Sequence, residues 1–225
     1  MTNLAVVSDK VPAYLKGTLE GVGRGNEHVG QETITPRIKL IQTVSPEFDK
    51  NDPKYVKGVE SGDFYNALTG SIYGNSIKVL SLLMRPLYWA TQDFGTGGGM
   101  GPKVDNRTEA ENWAKEQINP DLWKVTEVHE HVLLILNEET GEPETSPALM
   151  DFNGSKLAAS KAWNSKILMQ GGDRFASVWD LHSKSMVAKK SNKTYETVEL
   201  SLVGWAKEEH YKLASDMYDQ YTRNR

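Results

Sequence analysis

Basic side chains that could bind phosphate groups are concentrated in one part of an otherwise acidic chain. Residues 151–193 contain eight Lys or Arg and three Asp residues, whereas residues 1–150 contain fourteen basic and twenty-one acidic residues. A local excess of positive charge matters more to a polyanion than the net charge of the whole chain does. The segment therefore predicts contacts with a nucleic-acid backbone through eight residues, namely Lys156, Lys161, Lys166, Arg174, Lys184, Lys189, Lys190 and Lys193. In the alternative interpretation, these cations form a solvated helix face and a Lys-rich turn that protects a sheet edge.

Aromatic side chains near these cations could stack with unpaired bases, which is how proteins hold a single strand without reading its sequence. Trp163 lies within the basic segment, and Tyr88, Trp89 and Phe94 lie next to a glycine-rich stretch at residues 95–101. We therefore predict that these four aromatic residues are stacking platforms, and we expect the glycine-rich loop to close over the strand. Packing in the core is the alternative for each of them.

Residues that could support catalysis or hold a metal ion are few. His129 and His131 would share one face of a strand and could chelate a metal ion, but no third ligand at a suitable spacing is evident, and zinc sites need three or four. The chain contains no cysteine, no Gly-x-Ser-x-Gly motif and no Walker motif. We therefore predict that the protein is not an enzyme and holds no metal ion or cofactor.

The same composition bears on location. A chain without cysteine is typical of a reducing compartment. The longest apolar run, residues 79–89, is interrupted by Ser81, Arg85 and Pro86, so it does not predict a membrane span. The sequence therefore predicts a cytoplasmic protein that does not contact a membrane.

The elements that carry the basic side chains are predicted from the pattern between Ser146 and Ala206. Val198, Leu200 and Leu202 alternate with polar residues, and this is the period of a half-buried strand. A segment rich in β-branched and aromatic residues precedes the Lys-rich turn, so the two segments together indicate an antiparallel hairpin. The predicted elements are a strand over residues 147–152, a helix over 156–169, and hairpin strands over 175–188 and 195–206.

A long apolar segment at residues 76–93 predicts another strand. Its alternation places Ile77, Val79 and Arg85 on one face, and Pro86 favours a bulge or a bend. With a further strand over residues 122–136, the order becomes three strands, a helix and two strands. This is the order of an OB-fold, a small five-stranded barrel that binds oligonucleotides.

We therefore predict a β-rich α+β fold, an OB-like five-stranded barrel with a helix between strands 3 and 4. The domain would span residues 36–225, with a long Gly-rich insertion at 94–121 and a C-terminal helix at 207–221. Residues 1–35 are predicted to form a flexible N-terminal arm, because their glycines alternate with polar residues.

Four short patterns resemble a group of small bacteriophage proteins. The patterns are Pro-Arg-Ile-Lys-Leu-Ile-Gln-Thr-Val-Ser-Pro-Glu at 36–47, Gly-Asp-Phe-Tyr-Asn at 62–66, Ser-Lys-Ala-Trp-Asn at 160–164 and Val-Gly-Trp at 203–205. Over roughly residues 12–222, the chain is similar to proteins treated as phage single-stranded DNA-binding proteins of replication and recombination. The resemblance implies an OB-fold, sequence-tolerant binding of single-stranded DNA, and partners among phage replication or recombination proteins.

A second hypothesis is a non-enzymatic protein-interaction or assembly module of a phage. The acidic residues 1–150 favour it, because an acidic surface repels nucleic acid. The predicted C-terminal helix carries Tyr and Met side chains on one side, so it could pack on the domain or form a contact in a homo-oligomer. A nucleic-acid binder is expected to bind single-stranded DNA, and an interaction module is not.

Overall fold

Nine β-strands and three α-helices account for most of the described chain. The computed structural model describes residues 34–92, 99–188 and 192–223. The strands are β1 Arg37–Leu40, β2 Phe64–Asn66, β3 Ile72–Gly74, β4 Ser76–Gln92, β5 Met100–Val104, β6 Trp123–Leu136, β7 Ala148–Asn153, β8 Ser177–Val187 and β9 Thr194–Trp205. The helices are α1 Arg107–Lys115, α2 Leu157–Gln170 and α3 Glu208–Arg223. Phe94, Lys189, Lys190 and nearly all of the predicted arm at 1–35 lie outside the described residues.

All nine strands belong to one mixed sheet. Eight of them follow the order β3-β2-β1-β7-β6-β4-β8-β9, and β5 pairs with the far half of β4. The longest ladder joins β4 to β6 in antiparallel register from Lys78 opposite Leu136 to Gln92 opposite Trp123. The short β1 pairs with β7 in parallel, and the other pairings are antiparallel.

The prediction of an OB-like five-stranded barrel is wrong. The structure is a curled mixed sheet of nine strands, with helices against it, in place of a small closed barrel. The predicted order of elements after residue 76 was close, but it could not show that β1 to β3 extend the same sheet through the pairing of β1 with β7. The Gly-rich insertion predicted at 94–121 supplies a ninth strand, β5, in addition to a helix, α1.

Helix α2 covers one face of the sheet. Trp163 and Ile167 on its inner side pack in a cluster with Phe152 of β7 and Trp179 of β8. The cluster also contains buried residues of five further strands, namely Ile38, Leu40, Phe64, Ile77, Val79, Leu133, Ile135, Val198 and Leu200. The helix ends at Gly171, whose φ of +73° favours a residue without a side chain.

Helix α3 packs against the opposite face. Ala214 is fully buried there, and Tyr211, Met217, Tyr218 and Tyr221 pack beside it. The sheet contributes Leu80, Leu82, Val132, Leu134, Leu136, Leu149 and Val178 to this second cluster. None of the helices in the described residues is long and apolar enough to cross a membrane.

The two faces of the sheet give a test of the core. Replacing Trp163, which is fully buried between α2 and the sheet, by Ala should lower the free energy of unfolding by about 3–5 kcal/mol, because it leaves a large cavity. Trp205 is 68% exposed at the end of β9, and Trp205→Ala should change that free energy by about 0.5 kcal/mol or less. Urea unfolding of both variants measures the difference. Equal losses would contradict the packing of α2 on this face.

Candidate functional site

A buried carboxylate lies on the face of the sheet that carries α3. Glu130 of β6 is 3% exposed, and two guanidinium groups bind it: Arg37 from β1, 3.1 Å from Oε2, and Arg85 from β4 at Oε1. The ammonium group of Lys103 on β5 lies 3.8 Å from the same carboxylate. Removing such a charge from water is costly unless opposite charges surround it, and these three cations satisfy that requirement.

A second carboxylate, that of Asp151 on β7, extends the cluster. Its Oδ2 accepts hydrogen bonds from Arg37 at 3.1 Å and from Lys103. Lys156 is close enough to interact electrostatically with both Asp151 and Lys103. Burial lowers the pKa of Lys156, and its interaction with Asp151 partly opposes that effect. We name the group of Arg37, Arg85, Lys103, Lys156, Glu130 and Asp151 the charged shelf.

The charged shelf contains more positive than negative groups. Arg37, Arg85 and Lys103 form ion pairs with its two carboxylates, and Lys156 interacts electrostatically with one of them. Two of its polar atoms, Nε of Arg85 and Oδ1 of Asp151, are buried without a hydrogen-bond partner. Buried polar atoms are nearly always paired in folded proteins, so these two mark a place where a further polar group would be stabilised.

Trp89 lies at the edge of the charged shelf. The ammonium group of Lys103 sits 4.9 Å from the centre of its ring, and its Nε1 donates a hydrogen bond to the carbonyl of Gly101 at 2.8 Å. The side chain of Trp89 is half-buried. Strand β5 can lie this close to Trp113 of helix α1 only with glycine at 101, because a Cβ there would be 2.5 Å from the ring of Trp113.

Two of the residues predicted from the sequence meet at this site. The ammonium group of Lys103 lies 4.9 Å from the ring centre of Trp89 and interacts electrostatically with Lys156, so both predicted residues border the same cation. Tyr88 is half-buried. It immediately precedes Trp89 in β4, so it faces the opposite side of the sheet from Trp89. Lys193 is exposed beside the turn that leads into β9.

The other predicted residues lie elsewhere. Lys161 and Lys184 are exposed and form ion pairs with Glu127 and Glu199, at 3.0 Å and 3.2 Å. Lys166 is exposed on α2, and its ammonium group donates a hydrogen bond to the carbonyl of Leu200. These three cations therefore do not gather into one groove.

Trp163 is not accessible to a strand, and Arg174 is engaged in contacts within the protein. Trp163 is fully buried, and Arg174 lies against its ring with the guanidinium carbon 5.6 Å from the ring centre. Arg174 donates hydrogen bonds to Ser81 and Asn164, both at 2.7 Å. Burial lowers the pKa of Arg174 to about 10. Trp163 was predicted as a surface contact because local sequence does not reveal which side of α2 meets the sheet.

Most residues of the charged shelf are not among those predicted from the sequence. Arg37, Arg85, Lys103, Glu130 and Asp151 come from five different strands, and none of them is close to another in sequence. One signal was present: Arg85 and Glu130 interrupt apolar strand segments, and an ionisable residue in such a place needs a buried partner.

The histidines considered as metal ligands face α2. His129 Nδ1 and His131 Nε2 each lie 2.7 Å from Oγ of Ser160, which is fully buried. His131 also stacks on Trp163, with ring centres 4.8 Å apart. Among the described residues, three other potential ligands, Glu142, Glu209 and His210, also lie close together. There the ammonium group of Lys207 already lies 3.5 Å from Glu142 and 3.8 Å from Glu209.

The contribution of the charged shelf to stability can be tested at Glu130. Glu130→Gln keeps the size of the side chain but leaves Arg37 and Arg85 without their common anion, so the free energy of unfolding should fall by about 3–5 kcal/mol. Glu199→Gln, at an exposed ion pair on β9, should leave stability nearly unchanged. Chemical denaturation at neutral pH compares the two. A Glu130→Gln variant as stable as the parent protein would show that the carboxylate is not needed there.

Comparison with known proteins identifies the family. Residues 4–225, nearly the whole chain, match the family described as Pam3 phage gp34-like protein. Neither the curated proteins nor the solved structures contain a match. The chain is therefore a bacteriophage protein that belongs to the Pam3 phage gp34-like family.

Proposed function

We propose that the protein binds single-stranded DNA without reading its sequence, and that the charged shelf holds the phosphates. The observation that supports the proposal most directly is the excess of cations in the shelf, where four basic groups meet two carboxylates. A phosphate group would balance this charge.

The groups around the shelf suit a backbone ligand. The side chain of Arg37 is 42% exposed while it binds Glu130 and Asp151, so it can be approached from solvent. Guanidinium groups bind phosphate oxygens in pairs, and Lys103 and Lys156 would add point charges. These contacts carry no base sequence information, which is consistent with sequence-tolerant binding.

Trp89 would supply the stacking part of the interaction. Bases stack on flat aromatic side chains, and each stacked base contributes about 1–3 kcal/mol. Trp89 is half-buried and lies within 4.9 Å of the ammonium group of Lys103, so a base on this ring would be next to the cations that hold its phosphate. In this proposal the protein acts in the cytoplasm of the host, with phage replication or recombination proteins as partners.

The second candidate function is a protein-interaction or assembly module. Strand β9 is at one end of the strand order, and its last residues expose apolar side chains: Leu202 is 49%, Val203 54% and Trp205 68% exposed. An edge strand with exposed apolar residues is a common place for another chain to pair. This observation favours a contact through β9, including one between two copies of this chain.

Binding of DNA is tested with a fluorescently labelled oligo-dT strand. The protein should bind it tightly at low salt and more weakly at high salt, and a duplex of the same length should bind less well. For single strands, the slope of log K against log salt is about −0.7 for each phosphate contact. Arg37→Ala should therefore weaken binding and make the slope shallower by about 0.7. Trp89→Ala should weaken binding and leave the slope unchanged.

Matched controls separate the shelf from the rest of the basic surface. The double change Lys161→Ala and Lys184→Ala removes two exposed cations that are already paired with carboxylates, so it should change affinity little. No binding of oligo-dT at low salt would rule out the proposed function. Binding that depends on Lys161 and Lys184 but not on Arg37 would move the site to the basic surface.

The second candidate has its own measurement. If β9 joins two copies of the chain, light scattering after gel filtration should give the mass of a dimer for the parent protein. Val203→Lys should shift this mass to that of a monomer, because a charge at the edge opposes strand pairing. Ile118→Lys is the control, since Ile118 is 88% exposed in a turn away from β9. A monomeric parent protein would exclude self-association through this edge.

A further inference from the structure

A chain of polar groups crosses the interface between α2 and the sheet. His129 Nε2 lies 3.0 Å from Oε1 of Glu127, and its Nδ1 lies 2.7 Å from Oγ of Ser160. On the other side of Ser160, His131 Nε2 lies 2.7 Å from the same oxygen. His131 Nδ1 lies 3.4 Å from a guanidinium nitrogen of Arg174. We name this group of five residues the histidine relay.

The two ends of the histidine relay fix the position of every proton within it. Arg174 has only N–H donors, so His131 Nδ1 must accept. Glu127 is a carboxylate whose pKa is lowered by its hydrogen bond with Lys161, so it accepts and His129 Nε2 must donate. Ser160 then donates its O–H to His129 Nδ1 and accepts an N–H from His131 Nε2. In this arrangement each donor of the relay faces an acceptor, and both rings carry their proton on Nε2.

We propose that the histidine relay is a pH-sensitive latch, which holds α2 on the sheet while both imidazoles are neutral and releases α2 when a proton is added. An imidazolium donates from both nitrogens, so no arrangement of the five groups can accept an extra proton. A protonated His131 would place an N–H against the N–H groups of Arg174. A protonated His129 would place an N–H against Ser160, whose buried O–H would lose its acceptor.

The elements packed around the relay offer few charges that could offset an added proton. On β6 the nearby charge is that of Glu127, which already binds Lys161 of α2 at 3.0 Å. The segment before β8 brings the positive Arg174, while α2 adds the neutral Asn164 and β4 the neutral Ser81. Strand β7 contributes the ring of Phe152, 4.6 Å from that of His131. No second carboxylate of the described residues contacts the relay in these hydrogen bonds and ion pairs.

The direction of the pH effect follows from the burial of His131. Burial, together with the charge of Arg174, lowers the pKa of His131 well below 6.5. A histidine that is exposed after α2 has opened titrates near 6.5. Above that pH both states are neutral at His131, and the latch is at full strength. As the pH falls below about 6.5, only the open state takes up a proton, so the closed state loses stability until the lower pKa is reached.

The proton positions are tested by nitrogen-15 NMR of the histidine rings in the full chain. At pH 7.5 both His129 and His131 should be neutral with the proton on Nε2. A proton on Nδ1 of either ring, or a charged ring at this pH, would overturn the proposal. This measurement uses the unchanged protein, so it does not depend on whether a variant folds.

Opening of α2 is tested by amide hydrogen exchange. After correction for the intrinsic effect of pH, the protection of residues 157–170 should fall between pH 6.5 and 5.5, by up to about fivefold for this one unit. Helix α3, on the other face, should keep its protection. In His131→Gln the amide can still donate to Ser160 but does not titrate, so the loss at α2 should be smaller. In the control His182→Gln, at a half-buried site on β8 outside the relay, the loss should be unchanged.

The outcomes separate a latch from general acid sensitivity. Equal loss of protection in α2 and α3 would indicate that acid destabilises the whole protein and would reject a latch at this interface. Equal loss at α2 in the parent protein and in His131→Gln would show that His131 does not control it. The proposal does not rest on DNA binding, so both tests can succeed whether or not oligo-dT binds.

Discussion

The antiparallel ladder between β4 and β6 is the constraint on which the rest of the structure depends. Its register brings Arg85 opposite Glu130 and Met84 opposite His131. Because side chains alternate between the two faces of a strand, five consecutive residues of β6 serve two different sites: Glu127, His129 and His131 face α2, and Glu130 faces the charged shelf. A shift of one residue would exchange the faces and leave both sites without partners.

An irregularity in this ladder decides which side chains reach the charged shelf. The register shifts between Ser81 and Leu83, so Leu82 is an extra residue of β4. Before the shift, Val79 packs on the α2 face; after it, Leu83 packs on the α3 face, and Arg85 and Trp89 follow with the same alternation. Regular alternation from residue 77 to 89 would have directed Arg85 and Trp89 towards α2, away from Glu130.

The distance along the chain between interacting residues explains what the sequence could and could not predict. Local patterns were sufficient for α2, for the β8–β9 hairpin and for α3, since each depends on residues close in sequence. The sheet order was not predictable in this way, because β1 pairs with β7 across more than a hundred residues. At the site, charge and aromatic character identified Lys156 and Trp89. The long-range partners Arg37, Lys103 and Asp151 were missed for the same reason that the sheet order was.

The two polar sites on β6 differ in how completely their groups are satisfied, and this difference supports different roles. In the histidine relay each donor faces an acceptor from Arg174 to Glu127, so a ligand would have to break a bond in order to enter. In the charged shelf, Arg85 Nε and Asp151 Oδ1 are buried without partners, and cations outnumber carboxylates. An anion would therefore be attracted by the excess positive charge of the shelf, whereas an added proton at the relay would be destabilising. The relay thus suits a contact within the protein that acid can break, and the shelf suits a contact with an anion.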